Sequence, residues 1–216
     1  NAEHTFLPRA SWQLTFRSTG CSPAARGSRR LPQALYSQDA VVAQQTYELR
    51  PGVTNPGLWY PERPPKSERD RIRRIVLERD HNACQFCGHV ARKYMNVHHL
   101  NESGENNPDN LITCCVACHA VLHVGRNLTL GVVEVWESKL SQVEIVRATR
   151  EGVKSGKTLQ AIKKTLKLKK GLYPPGSIEY ANTIVASMGK SPRASLEEPL
   201  SAVFINLKRW QIEQAT

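Results

Sequence analysis

Residues 97–123 have the sequence VHHLNESGENNPDNLITCCVACHAVLH, and this stretch decides how the middle of the chain folds. His98 and His99 stand in a short run of strand-forming residues, so their side chains are expected on opposite faces of a strand. Residues 101–110 are rich in Asn, Gly, Ser and Pro, which is typical of a turn region. A second strand is predicted at Leu111–Cys114. The sequence therefore predicts a hairpin that carries two adjacent histidines.

The segment that follows the hairpin predicts a helix over Val116–Val124. His119 and His123 are four residues apart, so this helix would project both imidazoles from one face. Two imidazoles in that arrangement can share one metal ion. On the strand, one of His98 and His99 can ligate a metal while the other faces a substrate.

Five of the six cysteines lie between positions 84 and 118, and Cys21 is the exception. The spacings Cys84-x-x-Cys87 and Cys115-x-x-Cys118 supply two pairs of thiolates, which is typical of tetrahedral zinc. Four thiolates leave no open coordination position, so the pattern predicts a structural rather than a catalytic Zn²⁺. Cys114 is interpreted as a packed thiol, since Cys115 gives the two-residue spacer.

The sequence divides into three parts. Residues 1–66 are rich in proline without sustained periodicity and are predicted to form an extended, partly basic arm. Four arginines lie within Arg17–Arg30, which suits either a flexible basic segment or a plain linker. The middle part, 67–126, begins with a predicted helix at Ser67–Asp80, capped by Ser67. Its apolar face is assigned to Ile72, Ile75 and Val76.

The remaining part, 127–216, is predicted to be mostly helical and basic. Residues 139–170 hold ten Lys plus Arg against two Glu, a local charge of +8. A row of outward-facing lysines here would suit phosphate contacts, with a solvated helix face as the alternative. The apolar spacing predicts helices at 132–154, 158–170, 178–188 and 202–214.

The whole chain carries a formal net charge of +11, which favours polyanionic partners such as nucleic acid or an anionic membrane surface. Its apolar runs are too short for a membrane span. The paired cysteine knuckles favour a reducing compartment, and a secretory signal is not evident, so a cytoplasmic location is expected.

The ordered set of His98-His99, Asn110-Leu111-Ile112, Cys115-x-x-Cys118-His119 and His123 resembles the HNH endonucleases, over residues 67–126. The resemblance implies an α+β fold with a small ββα-metal nuclease core, stabilised here by the four-cysteine zinc site. An irregular arm would precede this core and a mostly helical region would follow it. The function implied is a metal-dependent DNA endonuclease that acts on double-stranded DNA and leaves 5′-phosphate and 3′-hydroxyl ends.

The resemblance also implies residue roles. His99 would be the general base and Asn110 would brace the loop and orient that base. The metal ligands would be His98, His119 and His123, although His123 could instead contact phosphate. The catalytic divalent ion could be Mg²⁺, Mn²⁺, Ni²⁺ or Zn²⁺. The local charge of residues 139–170, rather than the resemblance, predicts DNA contacts at Lys163, Lys164 and Lys167, and Arg126 is also expected to contact DNA.

Two other functions compete with an independent nuclease. A catalytically silent, zinc-stabilised nucleic-acid-binding module would bind DNA without metal-stimulated cleavage. A nuclease subunit that depends on a partner protein would fit the long flanks, which a nuclease core does not need. Phage defence or restriction is the favoured biological role, ahead of homing and phage DNA processing.

Overall fold

The structure is a computed structural model that describes residues 47–55, 58, 64–101 and 105–214. Its helices are α1 (Lys66–Arg79), α2 (Val116–Leu122), α3 (Val124–Thr129), α4 (Gln142–Lys154), α5 (Leu159–Thr165), α6 (Glu179–Met188) and α7 (Leu207–Gln214). Its strands are β1 (Gly52–Thr54), β2 (Met95–His99), β3 (Leu111–Cys115), β4 (Val133–Glu137), β5 (Arg193–Ser195) and β6 (Leu200–Phe204). The strands form three antiparallel pairs, so the described part of the chain is an α+β fold with small sheets.

The predicted hairpin is present as β2 and β3, in a register that pairs His98 with Ile112 and His99 with Leu111. Every residue of β3 is buried, so this strand lies in the interior. Helix α2 starts directly after β3, because Cys115 ends the strand and caps the helix by accepting a hydrogen bond from the Cys118 N–H. The local pattern therefore predicted the hairpin and the start of the following helix correctly. Helix α2 ends at Leu122, so His123 lies just beyond it instead of inside the predicted helix Val116–Val124.

Helix α1 packs on the hairpin through Ile72 and Val76, which are buried with Leu111. Two details of the predicted helix were wrong. Ser67 makes no capping hydrogen bond, because the helix starts one residue earlier and Pro65 holds the cap position. Ile75 is exposed, since the buried stripe follows a spacing of four residues.

The region after residue 127 contains more strand than predicted. The helices predicted at 132–154 and 202–214 are replaced in their first parts by β4 and β6, which pair with each other. In β4 the buried Val133 and Val135 alternate with the partly exposed Glu134, which is a strand period that the helical interpretation overlooked. The remainder of 132–154 forms α4, which begins with a capping box between Ser141 and Glu144.

The end of the predicted arm belongs to the fold. Strand β1 pairs with β5, about 140 positions further along the chain, with Thr54 opposite Arg193. Leu49 and Val53 are buried in the main core. We call the pair β1–β5 the ribbon. The rest of the predicted arm, including Arg17–Arg30, lies outside the described residues apart from a few positions between 58 and 66.

The described residues from 47 to 214 belong to one compact unit. Its main core joins the cysteine-rich segment to the helices and strands of the C-terminal region. Among the described residues, no helix combines the length and the apolar character required to cross a membrane.

Candidate metal centres

The four predicted zinc ligands meet in one buried group. We call Cys84, Cys87, Cys115 and Cys118 the cysteine cluster; their sulfur atoms all lie within 4.8 Å of one another. The Sγ atoms of Cys87 and Cys115 are 3.7 Å apart. Sulfur ligands at about 2.3 Å from a tetrahedral zinc ion would be roughly 3.8 Å apart. The cluster therefore has the dimensions of a four-thiolate metal site and can hold a structural metal.

Local backbone geometry explains why the four sulfurs converge. The Cys84 carbonyl accepts a hydrogen bond from the Gly88 N–H, which turns the chain tightly between the first two ligands. Gly88 has a φ of 77°, a conformation that glycine adopts without strain. The Gln85 N–H donates to the Thr113 carbonyl and ties this turn to β3.

Cys114 lies outside the cluster, as predicted. Its side chain is fully buried, and burial raises the pKa of its thiol well above the ordinary value. Within the cluster, hydrogen bonds from the thiols of Cys115 and Cys118 lower the pKa of Cys87 to about 7. Neighbouring thiols and thiolates share protons in this way. A bound metal cation takes the place of these protons, because it attracts the thiolates more strongly.

Arg150, which the sequence analysis did not single out, touches the cysteine cluster. Its Nη2 donates to the Cys115 Sγ at 3.1 Å, and its guanidinium carbon lies 4.9 Å from the centre of the Trp210 ring. Four thiolates around a divalent ion leave a net negative charge, which this buried guanidinium partly offsets. Because Arg150 and Trp210 come from α4 and α7, the C-terminal region helps to build the cluster.

The second group consists of His98, His119 and His123, which we call the histidine cluster. One nitrogen from each ring lies within 4.8 Å of the others. The ring centroids are 4.7 Å apart for His119 and His123, 5.1 Å for His98 and His123, and 5.6 Å for His98 and His119. Two imidazole nitrogens on one ion are at most about 4.2 Å apart, so small side-chain rotations would close this group around a metal.

Cys118 and His119 are neighbours in α2, yet they belong to different clusters. The sulfur of Cys118 lies in the cysteine cluster, and the ring of His119 lies in the histidine cluster. Their side chains leave the helix in different directions, so each cluster keeps its own ligands.

All three imidazoles are held in the neutral form. Burial lowers the pKa of His98 to about 2, and a second proton here would also be repelled by Arg193 and would make protonation of His123 unfavourable. Burial and the nearby Arg126 and Arg193 lower the pKa of His119 to about 4. Burial, with His119 and Arg193, lowers the pKa of His123 to about 3. A neutral imidazole is the form that binds a metal ion.

The ribbon forms one side of the histidine cluster, which sequence reasoning missed. Thr54 Oγ1 lies 3.2 Å from His123 Nδ1, and Arg193 Nη1 lies 3.0 Å from His98 Nε2. Arg193 Nη2 also donates to the Leu122 carbonyl at 3.3 Å. Thr54 and Arg193 are register partners in β1 and β5. Their convergence depends on strand pairing between distant segments, which no local pattern reveals.

The chain is 32% identical over 108 residues to the type 4 apparatus protein DotN of Legionella pneumophila, an alignment that covers 47% of this chain and 50% of that protein. The chain thus spans about half the length of the curated relative it matches. No family model matches the chain.

His99, the predicted general base, is partly exposed next to the histidine cluster. Its Nε2 lies 3.3 Å from the Oδ1 atom of Asn106. Asn110 is buried and braces the loop: its Oδ1 accepts from the Asn101 N–H and its Nδ2 donates to the Glu105 carbonyl. Asn106 is therefore an additional residue that orients His99, and the sequence offered several asparagines in this loop without distinguishing it.

The four predicted DNA-contacting residues differ in their surroundings. Arg126 is exposed on α3, close enough to affect the pKa of His119. Lys164 and Lys167 are exposed on and just beyond α5. The expectation that Lys163 faces outward was wrong, because its Nζ is 2.8 Å from Glu134 Oε2 and lies over the Trp136 ring. The pairing with β4 keeps this ammonium partly buried.

Proposed function

We propose that this chain is a metal-dependent endonuclease of the HNH type that hydrolyses phosphodiester bonds in DNA. The observation that supports it is the convergence of His98, His119 and His123, with His99 beside them on the same hairpin. Cysteines alone suffice for a structural site, so a second group of three neutral imidazoles calls for a separate explanation.

In the proposed reaction, His99 accepts a proton from the attacking water, while Asn106 fixes the ring through the hydrogen bond at Nε2. The proton acceptor would then be Nδ1, whose lone pair is free when Nε2 carries the hydrogen. The histidine cluster would hold the divalent ion, for which Mg²⁺, Mn²⁺, Ni²⁺ and Zn²⁺ are candidates. Such an ion would neutralise charge on the phosphate and on the departing 3′ oxygen, and the reaction would leave 5′-phosphate and 3′-hydroxyl ends.

The basic groups around the histidine cluster suit a polyanionic substrate. Arg126 and Arg193 lie near the imidazoles, and both are cationic. The exposed Lys164 and Lys167 extend the basic surface of the C-terminal region. Contacts of this kind would be made with phosphates and would not depend on base sequence. A role in phage defence or restriction remains a prediction.

The test is incubation of purified protein with supercoiled plasmid across a panel of divalent metals, with a chelator control. We expect cleavage that needs added metal, and a loss of about 10²- to 10⁴-fold in the His99→Ala variant. Asn107→Ala, an exposed neighbour in the same loop, is the matched control and should retain cleavage. Cleavage by His99→Ala at the wild-type rate would contradict the assigned role.

A second candidate function comes from the similarity to DotN, whose name places it in a type 4 apparatus. We propose as the alternative that this chain is a subunit of a type IV secretion apparatus, in which the zinc-stabilised core serves as a docking module. The extensive C-terminal region, which packs around the cysteine cluster through Arg150 and Trp210, suits such a scaffold.

Gene replacement in the source organism separates the two functions. If the protein acts only as a subunit, a His99→Ala allele should support secretion as well as the wild type does. The Cys84→Ser allele should abolish secretion, because the module would lose its structural metal. Plasmid cleavage without any secretion defect in a deletion strain would contradict the subunit function.

A further inference from the structure

Arg193 occupies a position that bears directly on metal binding at the histidine cluster. Its Nη1 lies 3.0 Å from His98 Nε2, and the guanidinium also contacts the Leu122 carbonyl at the end of α2. Arginine only donates hydrogen bonds, so His98 Nε2 must be the acceptor. The lone pair of Nε2 is therefore engaged with Arg193.

This hydrogen bond fixes the proton on the other side of the ring. Because Arg193 donates to Nε2, this nitrogen carries a lone pair and no hydrogen, and a neutral imidazole has one N–H and one such lone pair. With the lone pair of Nε2 directed at Arg193, the proton must reside on Nδ1. Neither nitrogen of His98 then has a lone pair for a metal, so Arg193 must release His98 before a metal can bind.

The released guanidinium would stay beside the metal, because the ribbon and the Leu122 carbonyl hold it there. Arg126 lies close by, and a divalent ion would add two further positive charges. An anion stabilises such a group of positive charges. A guanidinium can donate hydrogen bonds to two oxygens of one phosphate.

We infer that Arg193 is the anion-binding residue of this centre, and that it exchanges His98 for a phosphate oxygen when a divalent metal binds. This inference rests on the proposed metal site at His98, His119 and His123. It makes metal and phosphate binding cooperative, because each ligand favours the arrangement in which Arg193 has left His98. Arg193 thus joins the C-terminal region to the site on the hairpin.

The experiment measures Mn²⁺ affinity by calorimetry in protein whose cysteine cluster is already loaded with zinc. In chloride buffer, Arg193→Met should bind Mn²⁺ about tenfold more tightly than the wild type, since a hydrogen bond to a charged donor no longer competes. Arg126→Met is the matched control: it removes a nearby charge without a hydrogen bond to His98, and should change the affinity less.

Sulfate serves as the phosphate probe, compared with chloride at equal ionic strength. Wild-type affinity for Mn²⁺ should rise in sulfate, whereas Arg193→Met should show no sulfate dependence. An equal response of both proteins to sulfate would overturn the anion-binding role. If Arg193→Met binds Mn²⁺ no more tightly than the wild type does, Arg193 does not exchange His98 for an anion.

The His98→Ala variant separates this inference from the proposed function. If His98→Ala no longer binds Mn²⁺ and Arg193→Met shows no higher affinity for Mn²⁺, the metal site is supported and only the exchange of Arg193 is contradicted. Unchanged Mn²⁺ binding in His98→Ala would overturn both. In the unmodified protein without Mn²⁺, ¹⁵N NMR of the imidazoles gives a check that requires no variant: it should show the Nδ1–H tautomer of His98, and the Nε2–H tautomer would contradict the inference.

Discussion

His98, His119 and His123 lie close together, and their surroundings disfavour the protonated form of each imidazole. A buried base with a lowered pKa makes stability depend on pH. The unfolded chain takes up protons below about pH 6.5, whereas the folded cluster does not. The three neutral histidines therefore contribute their full stabilisation above that pH. The contribution is lost as the pH falls toward the lowered pKa values of the folded protein.

We therefore expect the free energy of unfolding to fall between pH 7 and pH 5, by up to about 2 kcal/mol for each of the three histidines. Urea denaturation of metal-free protein at several pH values measures this. His123→Gln should flatten the dependence by roughly one third. His81→Asn is the control, because His81 is exposed with a φ of 52° that Asn tolerates, and it should leave the slope unchanged. A flat profile in the wild type would contradict the neutral cluster.

The cysteine cluster makes a second prediction at the residue scale. Cys84→Ser should remove the bound metal and lower the melting temperature markedly, because binding of a structural metal is linked to folding. Cys114→Ala is the matched control, since this buried thiol lies outside the cluster. It should keep the full metal content as measured by mass spectrometry. Loss of metal in Cys114→Ala, with retention in Cys84→Ser, would show that the ligand assignment is wrong.

At the scale of elements, the hairpin, α2 and the chain next to them contribute the residues of the two candidate metal centres, while the ribbon lies against the histidine cluster. Gly52 in β1 is the residue that lets the ribbon approach. A Cβ atom there would lie 2.7 Å from Arg193 Nη2 and 2.8 Å from both Arg193 Nε and the Leu122 carbonyl. The absent side chain thus leaves room for the guanidinium beside the end of α2.

Gly52→Ala should accordingly destabilise the protein by about 1–3 kcal/mol, because overpacking forces the ribbon away from α2. Gly176→Ala is the matched control, since a Cβ at Gly176 would meet nothing within 4 Å. Its effect should stay within about 0.5 kcal/mol. Equal unfolding midpoints for the two variants in denaturant would show that the ribbon does not pack as described.

The elements also show what the sequence could predict. The hairpin, α2 and both ligand sets follow from local patterns, since the residues that define them lie within 40 positions of one another. Pairing of β1 with β5, and of β4 with β6, joins segments that are far apart in the chain. No local sequence pattern could therefore predict the contacts of Arg193 and Arg150. The same holds for the partial burial of Lys163 against β4.

At the scale of the whole molecule, the excess of positive charge is the property that bears on partners. The chain has 30 Lys plus Arg against 19 Asp plus Glu. Lys163 is paired with Glu134, so the basic surface near α5 depends on the exposed Lys164 and Lys167.

Replacing Lys164 and Lys167 with Gln should weaken binding to every duplex alike and reduce the salt dependence by up to about 0.9 log units for each lost contact. Lys163→Gln should instead lower stability, because it leaves Glu134 without its cation. Fluorescence anisotropy at several salt concentrations measures the binding. An unaltered salt slope in the double variant would assign this surface to a partner protein rather than to DNA.

We propose that the chain holds two separate metals, one at the cysteine cluster and one at the histidine cluster. Crystals of zinc-loaded protein soaked in Mn²⁺ test it most directly, with anomalous diffraction recorded on both sides of the zinc absorption edge. We expect a zinc peak among the four sulfurs and a manganese peak between His98, His119 and His123. A manganese-saturated crystal with a peak at the cysteine cluster and none at the histidines would contradict it.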